Sequence, residues 1–402
     1  MPVTQAREIA PAARLENVRY AIRDLACVAR EVTDLGHKIV PLNIGDPITF
    51  DFQTPAHLIE AVYKAMREGR NGYGPSSGVP GAIGAIRDEA ARKGITTVQD
   101  IFVTTGVSET VDICLTALLN PGDNLLTPCP DYPLYSAVLA KLEVGLNTYY
   151  LNEDDGWQPD LEDIKRKITP RTRGIVLINP NNPTGSVATR KMLEQIAELA
   201  RRHNLIIFAD EIYDKLIIDN DPHVAMAAVA PDVPVITFGG LSKNYLAPGW
   251  RIGWGIASGD ASVIGPYLEG VNKLLRARLC ANHPEQYAIK AALDGPQDHL
   301  IEVKRKLRVR RDLTTKWCSE TPRVSCVPPR GAFYAYPSID IPEGDDVFVA
   351  ELIRQKYVMV VHGSGFGQRP GTKHFRIVFL PDEKTLTSAY TAIGEFLRER
   401  YA

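Results

Sequence analysis

Three short runs, Gly174–Ile178, Leu205–Ala209 and Pro234–Phe238, are almost continuously apolar. Between the first two, Leu193, Ile196, Ala197 and Ala200 recur at helical spacing. Upstream, Ile101–Thr104 reads as another buried strand, followed by Val111, Cys114, Leu115 and Leu118 on one helical face. A strand that is apolar on both sides must be covered on both sides. Alternation of such strands with amphipathic helices therefore predicts a parallel sheet between two helical layers. From about residue 330 the texture changes. Strands at Ala332–Tyr336 and Phe375–Phe379 alternate with helices near 346–357 and 382–399, which predicts a smaller α+β domain. Residues 1–50, set off by Asp46-Pro47, are expected to pack with that domain, leaving 51–285 as the large domain and 286–402 as the small one.

Charge narrows the function classes. Lys and Arg total 46 against 48 Asp and Glu, a net charge of −2, so there is no bulk attraction to nucleic acid or an anionic membrane. The apolar runs are too short to span a bilayer. The first twenty residues carry no apolar signal core, and a cytoplasmic protein is expected. Six cysteines form no CxxC pair and are read as reduced thiols. Eight histidines show no ligand spacing, so no metal site is predicted.

In parallel α/β sheets ligands bind beyond the carboxyl ends of the strands. After Ile178 comes Asn179-Pro180-Asn181-Asn182-Pro183-Thr184-Gly185, and after Ala209 comes Asp210-Glu211-Ile212-Tyr213. After Phe238 comes Gly239-Gly240-Leu241-Ser242-Lys243, with Arg251 eight residues beyond the lysine. After Thr104, Thr105-Gly106-Val107-Ser108 opens a helix. An amide, a carboxylate with a phenol, a lysine with an arginine, and free helix N–H groups together suit an aromatic, phosphorylated aldehyde.

NPNNPTG, DEIYD and LSKNYLAPGWRIGW, in that order, resemble the class I/II aminotransferases of fold type I, which use pyridoxal 5′-phosphate (PLP). LNIGDP, CPDYP, ITPRTRGIVLINPNNPTG, DEIYDK, RARLCANHPEQ and HGSGFG are similar to the alanine (glutamate–pyruvate) branch. The resemblance implies a large domain with a mostly parallel seven-stranded sheet between helices, plus the small α+β domain. It implies that Lys243 holds the cofactor covalently and moves the proton, for which a desolvated amine of lowered pKa is suited. Asp210 would face the pyridine nitrogen and keep it protonated. The adjacent Glu211 points the other way and is given no role. Tyr213 and Asn182 would donate to the phenolic oxygen, and Tyr132 would stack on the ring.

For the phosphate, the resemblance implies Arg251, Ser242 and the backbone around Gly106, Val107 and Ser108. Tyr73 would reach in from a neighbouring subunit, which implies a homodimer with shared sites. Many relatives have a hydroxyl residue three places before the lysine, where this chain has Gly240, so one phosphate hydrogen bond is expected to be missing or replaced. Arg376 would clamp the substrate α-carboxylate beside Gly45 and Asn182. For the distal carboxylate of glutamate two places stand open: Arg278, within the stretch 276–282 that corresponds to where aspartate aminotransferases use an arginine from the partner subunit, and Arg23, which shares a predicted helix face with Tyr20. The activity implied is L-alanine plus 2-oxoglutarate giving pyruvate plus L-glutamate. The alternatives are an aspartate or broad-specificity aminotransferase, a PLP lyase, and an aminotransferase-like regulatory protein.

Competing signals are weaker. Gly74-Pro75-Ser76-Ser77-Gly78 fits G-x-S-x-G but lacks a strand before it. Gly253-Trp254-Gly255 and Gly363-Ser364-Gly365-Phe366-Gly367 do not complete a dinucleotide fingerprint. The basic run Lys304-Arg305-Lys306 with Arg308, Arg310 and Arg311 reads as a solvated helix face.

Overall fold

The computed structural model describes residues 9–18, 25–219 and 222–401. The first strand, β1 (Val40–Pro41), belongs to the periphery. The main sheet comprises β2 (Val98–Thr104), β3 (Asn124–Cys129), β4 (Gly145–Asn152), β5 (Gln158–Pro159), β6 (Thr172–Ile178), β7 (Ile206–Asp210), β8 (Val235–Gly240) and β9 (Gly253–Ser258). Its order is β2-β9-β8-β7-β6-β3-β4-β5. Strands β8, β7, β6, β3 and β4 are mutually parallel, while β9 runs antiparallel to both its neighbours. The seven expected strands are all present, and the eighth, β5, is a two-residue antiparallel edge strand.

The helices follow from the spacing of apolar residues. In Arg190–His203 the residues Leu193, Ile196, Ala197 and Ala200 are all buried. Thr189 caps that helix by accepting from the Met192 amide, which is worth about 1 kcal/mol. Asn204 ends it in the left-handed conformation. Apolar clusters fill both faces of the sheet, one of them around Val111, Cys114, Phe208 and Phe238. No helix of the described residues is long and apolar enough to cross a membrane.

Toward the C-terminus, Phe375–Val378 pairs antiparallel with Tyr334–Ala335 and with Val361–His362. The expected strand at Ala332–Tyr336 shrinks to two residues because Ala332 takes a left-handed backbone (φ +56°) that breaks extension. Helices Asp345–Lys356 and Glu383–Tyr401 flank these strands. Strand β1 pairs with Val358–Met359, and helix Ala26–Asp34 packs on Asp345–Lys356.

The basic run does not form a solvated face. On helix Asp298–Glu320, Arg310 is only 1% exposed. It bonds the Leu380 carbonyl and pairs with Asp51 and Glu383. Arg308 donates to the Ile218 carbonyl, and Arg311 to Asp219 and the Pro329 carbonyl. These arginines clamp segments that lie far apart in the chain, although Arg308, like Arg305 with its neighbour Glu302, is also exposed.

Candidate active site

A cavity of about 760 Å³ opens at the carboxyl ends of the parallel strands, bounded on its other side by Met359 and Arg376. It is large enough for a cofactor-sized molecule and a small substrate. Asn182, Asp210, Ser242 and Lys243 each follow or end one of the parallel strands, so one sheet edge supplies all four.

Lys243 lies at the centre. Its amine donates to the Gly45 carbonyl at 2.7 Å and sits 5.6 Å from the Phe333 ring centre. Burial, together with the nearby Arg376 and Arg251 charges, pulls its pKa down to about 8. An appreciable neutral fraction near neutral pH is what an amine nucleophile needs. Gly45 is required where it stands, because a Cβ there would collide with the Tyr334 hydroxyl.

Asp210 ends β7 and is 5% exposed. Burial pushes its pKa up to about 6, against the lowering effect of hydrogen bonds from the Tyr135 hydroxyl (3.0 Å) and the Ile212 amide (3.3 Å). A buried carboxylate facing a cavity is short of positive charge, and a protonated ring nitrogen would supply it. Glu211 does not line the cavity. It is buried elsewhere and accepts from the Met226 amide at 2.8 Å.

The Asn-Pro cluster divides its labour. The Asn181 carboxamide accepts from the Thr184 amide and hydroxyl, and the Asn179 carboxamide accepts from the Ala188 amide. Those two asparagines hold the turn. Asn182 points into the cavity, where its oxygen accepts from Arg376 at 3.0 Å. Arg376 also bonds the Asn43 carbonyl, and its guanidinium lies 4.7 Å from the ring centres of both Tyr334 and Phe366. It is 2% exposed, so its fork is held by a buried, aromatic-walled frame.

At the opposite end, helix Val107–Leu118 starts after Gly106, whose φ is +74°. Arg251, itself left-handed at φ +53°, lies directly over Gly106, and a Cβ there would strike the guanidinium at 2.5 Å. Such a backbone in an arginine costs about 1 kcal/mol, which the packing around it must hold. Val107, Ser108, Ser242 and Arg251 all line this end, so helix amides, a hydroxyl and a guanidinium converge as an anion cradle. Gly240 offers no room for the missing hydroxyl, since a Cβ would lie 2.8 Å from the Ile252 carbonyl oxygen. Tyr132 and Tyr213 line the walls between the two ends, and the Tyr213 hydroxyl meets that of Tyr334 at 2.9 Å.

Not every expected residue reaches this cavity. Tyr73 is 85% exposed and does not line it. Within its own chain Arg278 does not line the cavity either, bonding the Val103 carbonyl at 2.6 Å and pairing with Glu109 at 3.4 Å. Tyr20 and Arg23 lie outside the described residues. Conversely, Tyr135, Tyr334 and Asn43 were not singled out by the sequence. Tyr135 could have been found from its spacing, three residues after Tyr132 at the start of a helix.

The family described as aminotransferase class I and II matches residues 37–393. The chain is 42% identical over 399 residues to the glutamate-pyruvate aminotransferase AlaA of Escherichia coli K12, covering 97% of this chain and 98% of that protein. It is 39% identical over 406 residues to an alanine aminotransferase of Mycobacterium tuberculosis H37Rv, covering 97% and 93% respectively. A solved alanine aminotransferase from Pyrococcus furiosus superposes with a TM-score of 0.94 at 41% identity, covering 97% of this chain and 100% of that one.

Proposed function

Since this chain belongs to the class I and II aminotransferases, we propose that it transfers the amino group of L-alanine to 2-oxoglutarate, releasing pyruvate and L-glutamate in two alternating half-reactions. The cofactor is PLP, which when bound supplies a reactive aldehyde and a protonated ring that withdraws electrons from the substrate Cα. The observation that carries the reading is the gathering of Lys243, Asp210, Arg251 and Arg376 in a single cavity. That donor set fits PLP group by group: an amine of lowered pKa for the aldehyde, a cation-deficient carboxylate for the ring nitrogen, and the cradle at Gly106–Ser108 for the phosphate.

In this reading Arg251, Ser242 and the amides of Val107 and Ser108 bind the phosphate, and Tyr132 covers one ring face. Tyr213 and Asn182 hold the phenolic oxygen. Arg376 fixes the α-carboxylate, with Asn182 and Gly45 closing the same corner. The amine of Lys243 would take the proton from the substrate Cα and deliver it to the cofactor carbon that had been the aldehyde. Tyr73, so exposed in its own chain, is read as reaching the phosphate end of a second copy in a homodimer. The six unpaired thiols suit a reducing compartment, the cytoplasm.

Borohydride reduction followed by peptide mapping tests the site, with a pyridoxyl adduct expected on Lys243 and nowhere else. A change in cofactor absorbance on adding L-alanine, reversed by 2-oxoglutarate, tests the reaction. An adduct on another lysine, or no response to alanine, would overturn the reading.

A further inference from the structure

Two positions before Arg376, on the same face of the extended chain, His374 is buried at 2% exposure. Both of its ring nitrogens have partners. Nε2 lies 3.1 Å from the Glu153 carboxylate, and Nδ1 lies 3.1 Å from the side-chain oxygen of Gln368. The orientation of the Gln368 carboxamide is fixed from its other end. Its nitrogen donates at 2.8 Å to Oδ2 of Asp345, which also accepts from the Ser364 amide. A carboxamide oxygen and a carboxylate only accept, so both ring nitrogens must donate, and an imidazole that donates twice is an imidazolium. We infer that His374 is a buried cation whose ion pair with Glu153 positions Arg376 for the substrate α-carboxylate. The inference rests on the role given to Arg376 in the function proposed above.

The surroundings suit a cation. The His374 ring stacks on Tyr336, with centroids 4.8 Å apart and planes 3° from parallel, and an aromatic face attracts positive charge. Glu153 faces the ring on one side, and Asp345 stands behind Gln368 on the other. Asp154 and Arg369 line the small cavity beside the ring, but Arg369 lies over Tyr150 at 4.8 Å and pairs with Asp160 at 3.7 Å. From His374 a packed row leads to the clamp. Tyr336 meets Phe366 edge-on at 6.2 Å, and Phe366 carries the Arg376 guanidinium at 4.7 Å. Glu153 follows β4 of the main sheet, whereas His374 and Arg376 belong with the strand Phe375–Val378. The pair therefore ties the strand that bears Arg376 to the main sheet, which also supplies Asn182, the partner of that arginine. Neither His374 nor Glu153 lines the active-site cavity, so the pair acts through Arg376 and touches no substrate.

The test compares PLP-loaded wild type with Glu153→Gln, which removes the countercharge, and His374→Phe, which keeps a ring on Tyr336 and removes both nitrogens. Propionate, a carboxylate without an amino group, is the binding probe. Its affinity should fall about fivefold in either variant, the worth of a partly exposed ion pair, and no further in the double variant. KM for alanine and for 2-oxoglutarate should rise together by about the same factor, with kcat within about twofold of wild type. Histidine nitrogen NMR of wild type at pH 7 should show a ring with both nitrogens protonated that is absent from the His374→Phe spectrum. A bare nitrogen on His374, additive losses in the double variant, or unchanged propionate affinity beside a lowered Tm, the mark of a merely structural pair, would each overturn the proposal. Should His374→Phe fail to fold, propionate affinity and the KM values in Glu153→Gln decide. A wild type that binds propionate but shows no spectral response to alanine would fail the transaminase reading and leave the ion-pair test standing.

Discussion

The two ends of the cavity are built on opposite principles. At the cofactor end, Asp210, Tyr213, Ser242 and Arg376 are all under 9% exposed, and most are interlocked by hydrogen bonds. At the mouth, Ala26 and Arg30 stand exposed on a helix whose partners are peripheral. Bond-making needs amine and carboxyl groups whose pKa values are moved far from their ordinary range, and at Lys243 and Asp210 burial is the largest cause of that. Choosing among substrates that share an α-amino acid head needs a contact that can be made or withdrawn, and burial would prevent it.

Mutations at the buried end should therefore strike every substrate alike. The largest effect is expected for Lys243→Ala, with steady-state turnover of alanine and of glutamate both falling by about 10⁴-fold. A variant that kept its rate with one of the two substrates would break the contrast. Next comes Arg376→Lys, which keeps the charge but loses the planar fork. KM for alanine and for 2-oxoglutarate should rise together, by about 10²-fold, because both carry the same α-carboxylate. A rise confined to one substrate would move substrate choice into the buried end.

The contrast also has a pH signature in the cofactor-free protein. The Asp210 carboxyl is raised to about 6 in the folded state from the usual 3.8, so between those values the folded chain holds a proton the unfolded chain has lost. Stability is then full below pH 4 as far as this group is concerned and falls by about 3 kcal/mol as pH rises through 6. Lys243 acts with the opposite slope. Its amine titrates near 8 when folded and 10.5 when unfolded, so its charge penalty is relieved as pH rises between them. Urea denaturation of Asp210→Asn at pH 4.5 and pH 7 should show the variant gaining on wild type at the higher pH. Equal differences at both values would mean that burial does not load this carboxylate.

What the sequence made legible follows the same division. Asp210, Asn182 and Lys243 stand directly after apolar strands, so strand-end logic and a local motif converge on them. The fold was legible because the period of apolar residues alone dictates covered strands, as at Ile206–Asp210. Contacts between distant segments were not. Arg310 looked like one of several solvated charges because Asp51, Leu380 and Glu383 come from remote stretches of chain. Alternation at Ala332–Tyr336 predicts a longer strand than forms, because it does not reveal a left-handed residue at its start. Tyr334 was read as part of that strand, and nothing local announces that its hydroxyl meets Tyr213.

The smallest effect is the most discriminating. Tyr135 is wholly buried and its hydroxyl donates to Asp210 at 3.0 Å, 75 positions away in sequence. If this bond exists to support the ionised carboxylate, Tyr135→Phe should cost about 1–3 kcal/mol at pH 7.5, where the carboxylate would keep its charge and lose a donor. At pH 4.5 the Asp210 carboxyl is protonated in the folded protein, and the same substitution should cost well under half as much. Loss of packing alone would be indifferent to pH, since phenylalanine fills nearly the same space. In the PLP-loaded enzyme the donor still helps to keep Asp210 ionised beside the ring nitrogen, so Tyr135→Phe should slow alanine and glutamate turnover by the same modest factor, about fivefold, with both KM values little changed. A slowing confined to glutamate would carry the influence of Tyr135 out to the mouth and dissolve the separation between the two ends.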